Sequence, residues 1–212
     1  SINNVWRYGN IGIDQLAGYL REKGFHIDIK YFSNKSKVAE IVNEIDLEYK
    51  LIAFSINNSN YNKCCEIAKT IKEKNKDILI EFGGGFSTRY YKEILDENKE
   101  VDFVILGDGE KPFEFLLEKL INFKNDIDIT KINHSYIATH NNFEKKSEFL
   151  NQRILHLPIF DYYEKDSKFK NSRKVHCIQT KNNICTGKCT FCTERHGKIF
   201  YKDLDEIIEQ IK

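Results

Sequence analysis

"DILIEFGGGFST" (77–88) is a short, mostly apolar run that ends in three consecutive glycines. An apolar run of this length, bounded by turn residues, is typical of a parallel strand that is buried on both faces. Adjacent glycines after such a strand let the backbone approach a ligand closely and present N–H groups to it. The stretch therefore predicts a buried parallel strand whose carboxyl end faces a binding site.

Helical stripes and short apolar runs alternate on both sides of this stretch. The stripes follow the i, i+3, i+4, i+7 spacing that predicts amphipathic helices. Such alternation predicts βαβ crossovers and a parallel sheet covered on both faces, which is a doubly wound α/β fold of flavodoxin-like type. The predicted strands are 26–32, 50–56, 77–85 and 101–110, and the predicted helices are centred on 13–20, 38–45, 64–71, 88–98 and 113–121.

The beginning of the chain departs from this pattern. A doubly wound sheet normally opens with a strand, but the first element here is the loop "NNVWRYGNIG" (3–12), which leads into a helix. The sequence contains no methionine and begins at Ser1. We therefore expect the first strand of the sheet to lie upstream of Ser1.

Three loops follow predicted strands and contain residues suited to ligand binding: "SINNSN" (55–60), "GGGFST" (83–88) and "GDGE" (107–110). In a doubly wound sheet, ligands bind beyond the carboxyl ends of the strands. The three loops on one edge therefore predict a binding crevice. No G-x-G-x-x-G fingerprint with its later acidic residue is present, and a phosphate-binding P-loop is also absent. These absences disfavour a nicotinamide site and a nucleoside triphosphate site.

The pattern changes after about residue 125. Residues 131–150 alternate around Asn141–Asn142 and predict a hairpin, because tandem Asn tolerates the positive φ of a tight turn. A charged linker at 153–174 precedes the strand "VHCIQT" (175–180). We expect three parts: an α/β domain at 1–125, a hairpin and linker at 126–174, and the incomplete start of a second domain at 175–212.

The loop "ICTGKCTFCTERHG" (184–197) places Cys185, Cys189 and Cys192 in a C-x₃-C-x₂-C array. Thiolates this close together converge on one soft or borderline metal centre. One interpretation is structural zinc, with His196 or Cys177 as the fourth ligand. The other is a four-iron cluster held by three thiolates, whose fourth iron is open to a small molecule.

Composition excludes several classes of function. The net charge of +1 indicates no basic field for nucleic acid, and the longest apolar runs are far too short to cross a membrane. With 41% hydrophobic residues the chain can form a core. We therefore expect a soluble cytoplasmic protein. The adjacent Cys64 and Cys65 open a predicted helix, and we expect them to be packing thiols.

The cysteine array, with Phe191 just before its last cysteine and a strand and helix on either side, resembles the radical S-adenosylmethionine enzymes. The resemblance implies that Cys185, Cys189 and Cys192 hold a 4Fe–4S cluster and that Phe191 contacts the adenine of S-adenosylmethionine. In that family, one electron from the cluster cleaves S-adenosylmethionine to give a 5′-deoxyadenosyl radical.

The amino-terminal part resembles the cobalamin-binding domain found in one branch of that family, by "SIN" (55–57), "GG" (83–84), "GDGE" (107–110) and "IDQLAGYLREKG" (13–24). The resemblance implies that Ser55, Gly83 and Gly84 line the pocket for the nucleotide tail. It also implies that the loop 7–12 lies near the corrin. The D-x-H-x-x-G motif that supplies a lower cobalt ligand in many cobalamin proteins is absent. The implied cobalamin contacts are Ser55, Asn57, Gly83, Gly84, Gly85, Gly107, Gly109, Glu110, Tyr8, Gly9 and Asn10.

Together these resemblances imply part of a cobalamin-dependent radical S-adenosylmethionine enzyme, with methyl transfer to an unreactive carbon as one outcome. The implied partners are a small-molecule or peptide substrate and an electron donor such as flavodoxin or ferredoxin. A lone βα unit cannot bury both faces of its strand. We therefore expect residues 175–212 to pack on the amino-terminal domain or on a neighbouring chain, or to be poorly ordered. We also expect this chain alone to be inactive as a radical enzyme. Two alternatives stay open: a non-enzymatic cobalamin-binding module, and a zinc-stabilised interaction protein.

Overall fold

The computed structural model describes residues 11–33, 35–122, 128–143, 181–182, 200–209 and 211. The chain divides into two compact units, one of residues 34–152 with 186–196 and the other of residues 1–33, 153–185 and 197–212. The predicted domain boundaries stay predictions. Several predicted features lie outside the described residues: the linker 153–174, the strand 175–180, Tyr8, Gly9, Asn10, Cys177, Cys185, Cys189, Phe191, Cys192 and His196.

The first unit is built on a four-stranded sheet of order β1-β2-β3-β4. Strands β1 (Leu51–Ser55), β2 (Leu79–Gly83) and β3 (Phe103–Ile105) are parallel, and β4 (Ile137–Ala138) is antiparallel to β3. A mainly parallel sheet with an antiparallel edge strand is common in doubly wound folds. The predicted α/β sheet is therefore confirmed.

Helices connect these strands and carry the predicted apolar stripes. In α3, Cys64, Ile67, Ala68 and Ile71 are all buried, as their spacing predicts. The helix predicted at 88–98 is instead two helices that meet at Tyr90, and the first of them begins at Gly85, the third of the three glycines. The α-helices of the described chain are α1 (Ile11–Glu22), α2 (Val38–Glu44), α3 (Tyr61–Lys74), α4 (Gly85–Arg89), α5 (Tyr91–Glu97), α6 (Glu110–Asn122) and α7 (Leu204–Glu209), and a 3₁₀ turn spans Ile129–Lys131.

Strand β2 lies at the centre of the core. Ile80 and Phe82 are fully buried, and the ring of Phe82 meets that of Phe54 edge-on at 5.5 Å between centroids. Phe103 on β3 is also fully buried. Complete burial of aliphatic and aromatic side chains of this size contributes roughly 1.5–3 kcal/mol each, so the middle of the sheet anchors the unit.

The predicted strand at 26–32 is wrong. Residues 25–31 alternate between half-buried and exposed, as the sequence pattern indicates, but residues 25–33 have no assigned strand. Alternation of side chains separates two faces of an extended segment, but a β-strand also needs a neighbouring strand to hydrogen-bond with. No such neighbour is found for this segment among the described residues. Two side-chain contacts hold this segment: Arg21 donates to Ile27 O, and the Tyr31 hydroxyl donates to Asp14 Oδ1 at 2.7 Å.

The predicted hairpin is partly present. A tight turn closes between Thr139 and Asn142, which form a bridge whose two backbone hydrogen bonds measure 3.4 and 3.0 Å. The arm before this turn pairs with β3, through Val104↔Ala138 and Ile105↔Ile137, and so becomes β4. The second predicted arm, from 144 onward, lies outside the described residues.

The second unit contains α1, α7 and a short antiparallel pair formed by β5 (Lys181–Asn182) and β6 (Phe200–Tyr201). Helix α1 ends as its sequence predicts: Gly24 has φ +88°, Gly24 N donates to Arg21 O and Phe25 N donates to Leu20 O, which is a Schellman motif. The side chains of Leu204 and Ile208 on α7, and of Ile211 after it, are exposed. No helix within the described residues is long and apolar enough to span a membrane.

Candidate functional site

The carboxyl ends of β1, β2 and β3 lie at one edge of the sheet, because the three strands are parallel and in register. Ser55, the last residue of β1, pairs with Gly83, the last residue of β2. The prediction that the three loops share an edge is therefore confirmed. This edge carries eight predicted cofactor contacts: Ser55, Asn57, Gly83, Gly84, Gly85, Gly107, Gly109 and Glu110. Their contact with a ligand stays a prediction.

Gly84 is required where the first two loops meet. Its φ is +100°, and a Cβ at this position would lie 2.8 Å from the backbone oxygen of Ile56. One residue earlier, Ile56 N donates to Gly83 O at 2.8 Å. The backbone of the β1 loop thus lies directly against the backbone of the β2 loop, which only glycine at 84 permits.

The loop after β1 is shaped by its own asparagines. Asn57 Oδ1 accepts hydrogen bonds from Ser59 N at 2.8 Å and from Ser59 Oγ at 2.7 Å, as in an Asx turn. Asn60 Oδ1 accepts from Asn57 N at 2.8 Å, and Asn60 Nδ2 donates to Ser55 O at 2.9 Å. The side chain of Asn57, predicted as a cofactor contact, therefore has a local structural role.

Thr88 joins the loops after β2 and β3. Its buried hydroxyl donates to Gly84 O at 2.9 Å and accepts from Gly107 N at 2.9 Å. Gly107 has φ +71°, a conformation that side-chain-bearing residues rarely adopt. Thr88 lies in the loop "GGGFST" but was not among the predicted site residues, because the partner of Thr88 at 107 is distant in sequence.

Glu81 is a buried acid on β2, two residues before the carboxyl end of the strand, and it was not among the predicted site residues either. Its side chain is 2% exposed, and Oε1 accepts from Ile105 N at 3.3 Å. Burial raises the pKa of Glu81 to about 8, so the carboxyl is mostly protonated at neutral pH. A Cβ on Gly83 would lie 3.1 Å from Glu81 Oε1. A single acidic residue within an apolar run is the signal that could have identified it.

Aromatic rings flank the glycine loop after β2. Phe86 packs against Tyr61, at 5.0 Å between ring centroids, and against Tyr90, at 4.7 Å. Tyr61 opens the helix after the first loop, and its hydroxyl accepts from Asn98 Nδ2 at 2.9 Å. These rings give the edge an apolar wall beside its polar backbone, a combination typical of cofactor sites.

The residues at this edge fit a large organic cofactor. Gly84 and Gly107 hold the two loops in positive-φ conformations that other residues rarely adopt, and the rings of Phe86 and Tyr61 supply apolar contact. Ser87, fully buried between Phe86 and Thr88 in the sequence, has a hydroxyl without a hydrogen-bond partner in the described part of the chain.

The described residues provide no metal site of their own. No group of three or more His, Cys, Asp or Glu side chains within them could hold a metal ion. Cys64 is buried, and burial raises the pKa of its thiol to about 12, so it remains protonated at neutral pH. The prediction that Cys64 is a packing thiol is confirmed.

The fold and this edge define a doubly wound cofactor-binding domain. The family model described as the B12 binding domain matches residues 7–117, which is just over half of the chain. The chain therefore belongs to the B12-binding domain family, and the resemblance to cobalamin-binding domains inferred from sequence is confirmed.

The known proteins to which this chain is similar include a cyclase and a methyltransferase. The anaerobic magnesium-protoporphyrin IX monomethyl ester cyclase of Synechocystis sp. is 30% identical over 77 residues, which are 36% of this chain and 15% of the cyclase. The radical S-adenosylmethionine methyltransferase TsrM from Kitasatospora setae, solved with cobalamin and a [4Fe-4S] cluster bound, matches with a TM-score of 0.61 at 13% identity. That match covers 96% of this chain and 42% of the methyltransferase. At this identity it shows a shared fold, and the chain spans under half the length of either relative.

Proposed function

We propose that the edge formed by the loops after β1, β2 and β3 binds cobalamin, with the nucleotide tail entering between the glycine loops. The observation that carries the proposal is the close backbone approach at Gly84, in a chain that belongs to the B12-binding domain family. Gly83, Gly84 and Ser55 would line the tail pocket. Asn57, Gly85, Gly107, Gly109 and Glu110, with Tyr8, Gly9 and Asn10 outside the described residues, complete the proposed contacts.

The chain's own residues prepare this site before the cofactor arrives. Glycine at 84 lets the backbone after β2 lie against Ile56 O, which fixes the position of the two loops relative to each other. Phe86 and Tyr61 pack against each other beside the glycine loop and would offer the tail an apolar surface. Bound cobalamin supplies a cobalt centre that can carry a methyl group.

A titration with hydroxocobalamin tests this proposal, with cobinamide as the matched probe because cobinamide lacks the nucleotide tail. We expect hydroxocobalamin to bind with a change in its visible spectrum, and cobinamide to bind at least about 10-fold more weakly because it forgoes the tail contacts. Equal affinity for both would show that the glycine loops do not hold the tail. No binding of either at micromolar concentration would remove the cobalamin assignment.

We further propose that the chain is part of a radical S-adenosylmethionine enzyme whose Cys185, Cys189 and Cys192 hold a 4Fe–4S cluster, with Phe191 near the adenine. The C-x₃-C-x₂-C spacing and the fold shared with a methyltransferase of that class support this. A cluster there supplies the electron for reductive cleavage of S-adenosylmethionine. Methyl transfer to an unreactive carbon of a small molecule or peptide, and a flavodoxin or ferredoxin as electron donor, complete the proposal.

Anaerobic reconstitution with iron and sulfide tests the cluster. We expect about four iron and four sulfide per chain, lost when Cys185, Cys189 and Cys192 are changed to Ala. The matched control changes Cys64 and Cys65 to Ala and should retain the iron. One tightly held zinc per chain in place of iron would instead support the zinc-stabilised interaction protein. Cobalamin binding without any cluster would support the non-enzymatic module.

A further inference from the structure

The hydroxyl of Thr88 uses its donor and an acceptor site at once. It donates to Gly84 O and accepts from Gly107 N, both at 2.9 Å, and Thr88 is 8% exposed. Gly84 and Gly107 follow β2 and β3, and both have positive φ, at +100° and +71°. One buried hydroxyl therefore connects the backbones of two glycine loops.

The hydrogen bonds of the strand ladder do not connect the loops after β2 and β3. The register between β2 and β3 comprises Glu81↔Phe103 and Phe82↔Val104, and so it stops before the carboxyl ends of the strands. Between β1 and β2 the register continues to Ser55↔Gly83 and is followed by a backbone bond from Ile56 to Gly83. Beyond the end of this register, the hydroxyl of Thr88 hydrogen-bonds to the backbone of both the second and the third loop.

We propose that Thr88 is a positioning residue for the cofactor: its hydroxyl sets the separation of the loops after β2 and β3 and so determines the affinity of the site for cobalamin. This inference rests on the proposed function. Thr88 acts through Gly84 and Gly107, because its own side chain is buried. A site whose loops are fixed before binding loses less conformational entropy when the ligand arrives, which raises its affinity.

The chain offers a matched control. Thr70 Oγ1 donates to Glu66 O at 2.8 Å, four residues earlier, as Thr88 Oγ1 does to Gly84 O. Thr70 lies within α3, away from the loop residues that Thr88 joins. Replacing either threonine by valine keeps the side-chain shape and removes the hydroxyl, so the two variants differ in whether a loop-to-loop connection is lost.

The experiment titrates hydroxocobalamin into the unsubstituted chain and into Thr88→Val, Thr88→Ser and Thr70→Val, with circular dichroism to verify folding. We expect Thr88→Val to bind about 10-fold more weakly, since a buried amide at Gly107 loses its partner. Thr88→Ser keeps the hydroxyl and should stay within about two-fold of the unsubstituted chain, as should Thr70→Val. If Thr88→Val does not fold, Thr88→Ala is measured against Thr88→Ser in the same way.

Hydrogen exchange at the Gly107 amide gives a readout without cofactor. Thr88→Val should speed this exchange, whereas Thr88→Ser and Thr70→Val should not. A folded Thr88→Val that binds as tightly as the unsubstituted chain overturns this inference alone. Equal losses in Thr88→Val and Thr88→Ser also overturn it, because the hydroxyl would then not be the cause. Failure of the unsubstituted chain to bind overturns the proposed function, and the role of Thr88 in affinity with it.

Discussion

The two parallel strand pairs of the sheet are held together in different ways. Strands β1 and β2 share five register pairs, from Leu51↔Leu79 to Ser55↔Gly83, and beyond them backbone meets backbone at Ile56 and Gly84. Strands β2 and β3 share two register pairs. The carboxyl ends of β1 and β2 are joined by main-chain hydrogen bonds and by a close backbone contact that glycine allows. Side-chain hydrogen bonds contribute to holding β2 and β3 together.

Three backbone amides between β2 and β3 are satisfied by side chains along the length of this pair. Ile80 N donates to Asp102 Oδ2 at 2.7 Å, Ile105 N to Glu81 Oε1 at 3.3 Å, and Gly107 N to Thr88 Oγ1 at 2.9 Å. Main-chain closure depends little on pH, whereas a carboxyl group that holds an amide titrates. Substitutions of side chains between β2 and β3 should therefore change the stability of the chain, in part in a pH-dependent way. Between β1 and β2, stability should instead be sensitive to an added side chain at a glycine.

The largest effect should come from Glu81→Gln. The pKa of Glu81 is raised from 4.5 to about 8 by burial, so the folded chain holds a proton that the unfolded chain releases between these values. The contribution of Glu81 to stability is fully present below about pH 4.5 and is lost as the pH rises toward about 8. With glutamine this loss should disappear, which makes the variant more stable by up to about 5 kcal/mol at alkaline pH.

Denaturant unfolding across this pH range measures the effect. Glu66→Gln, an exposed change on α3, serves as the control and should follow the unsubstituted chain. If Glu81→Gln and the unsubstituted chain lose stability in parallel as the pH rises, Glu81 does not carry the proton.

The β1–β2 pair is tested by Gly84→Ala. The added Cβ would meet Ile56 O at 2.8 Å, and the φ of +100° disfavours any side chain. We expect a loss of about 3 kcal/mol in the free energy of unfolding. Gly24→Ala is the matched control, because Gly24 has φ +88° but no atom within 4 Å of its Cβ position. That variant should lose only about 1 kcal/mol, and equal losses in both would show that backbone strain, not the close approach, explains the glycine at 84.

The difference between the two pairs also explains what sequence could predict. Helical stripes such as Ile67–Ala68–Ile71, and glycines after apolar runs, are local patterns, and the structure confirms the helices and the shared loop edge. Glu81 and Thr88 were missed because their partners lie 24 and 19 residues away, so no local pattern encodes the contacts. The strand predicted at 26–32 failed for a related reason, since alternation does not specify which strand would pair with it.

The smallest of these effects should come from Lys72→Met, at the amino end of the β2–β3 pair. Lys72 Nζ lies 2.7 Å from Asp102 Oδ2, and both side chains are largely buried. Burial raises the pKa of Asp102, and hydrogen bonds from Lys72 and Ile80 oppose that rise. Without the ammonium group, the carboxylate keeps only the Ile80 amide among these partners, and the chain should lose about 2 kcal/mol in the free energy of unfolding at neutral pH.

Lys69→Met, at an exposed position on the same helix, should change stability by less than about 0.5 kcal/mol. Because the loss arises from an unpaired carboxylate, adding Asp102→Asn to Lys72→Met should recover part of it, and a double variant less stable than Lys72→Met would show that the unpaired charge is not what weakens the β2–β3 pair.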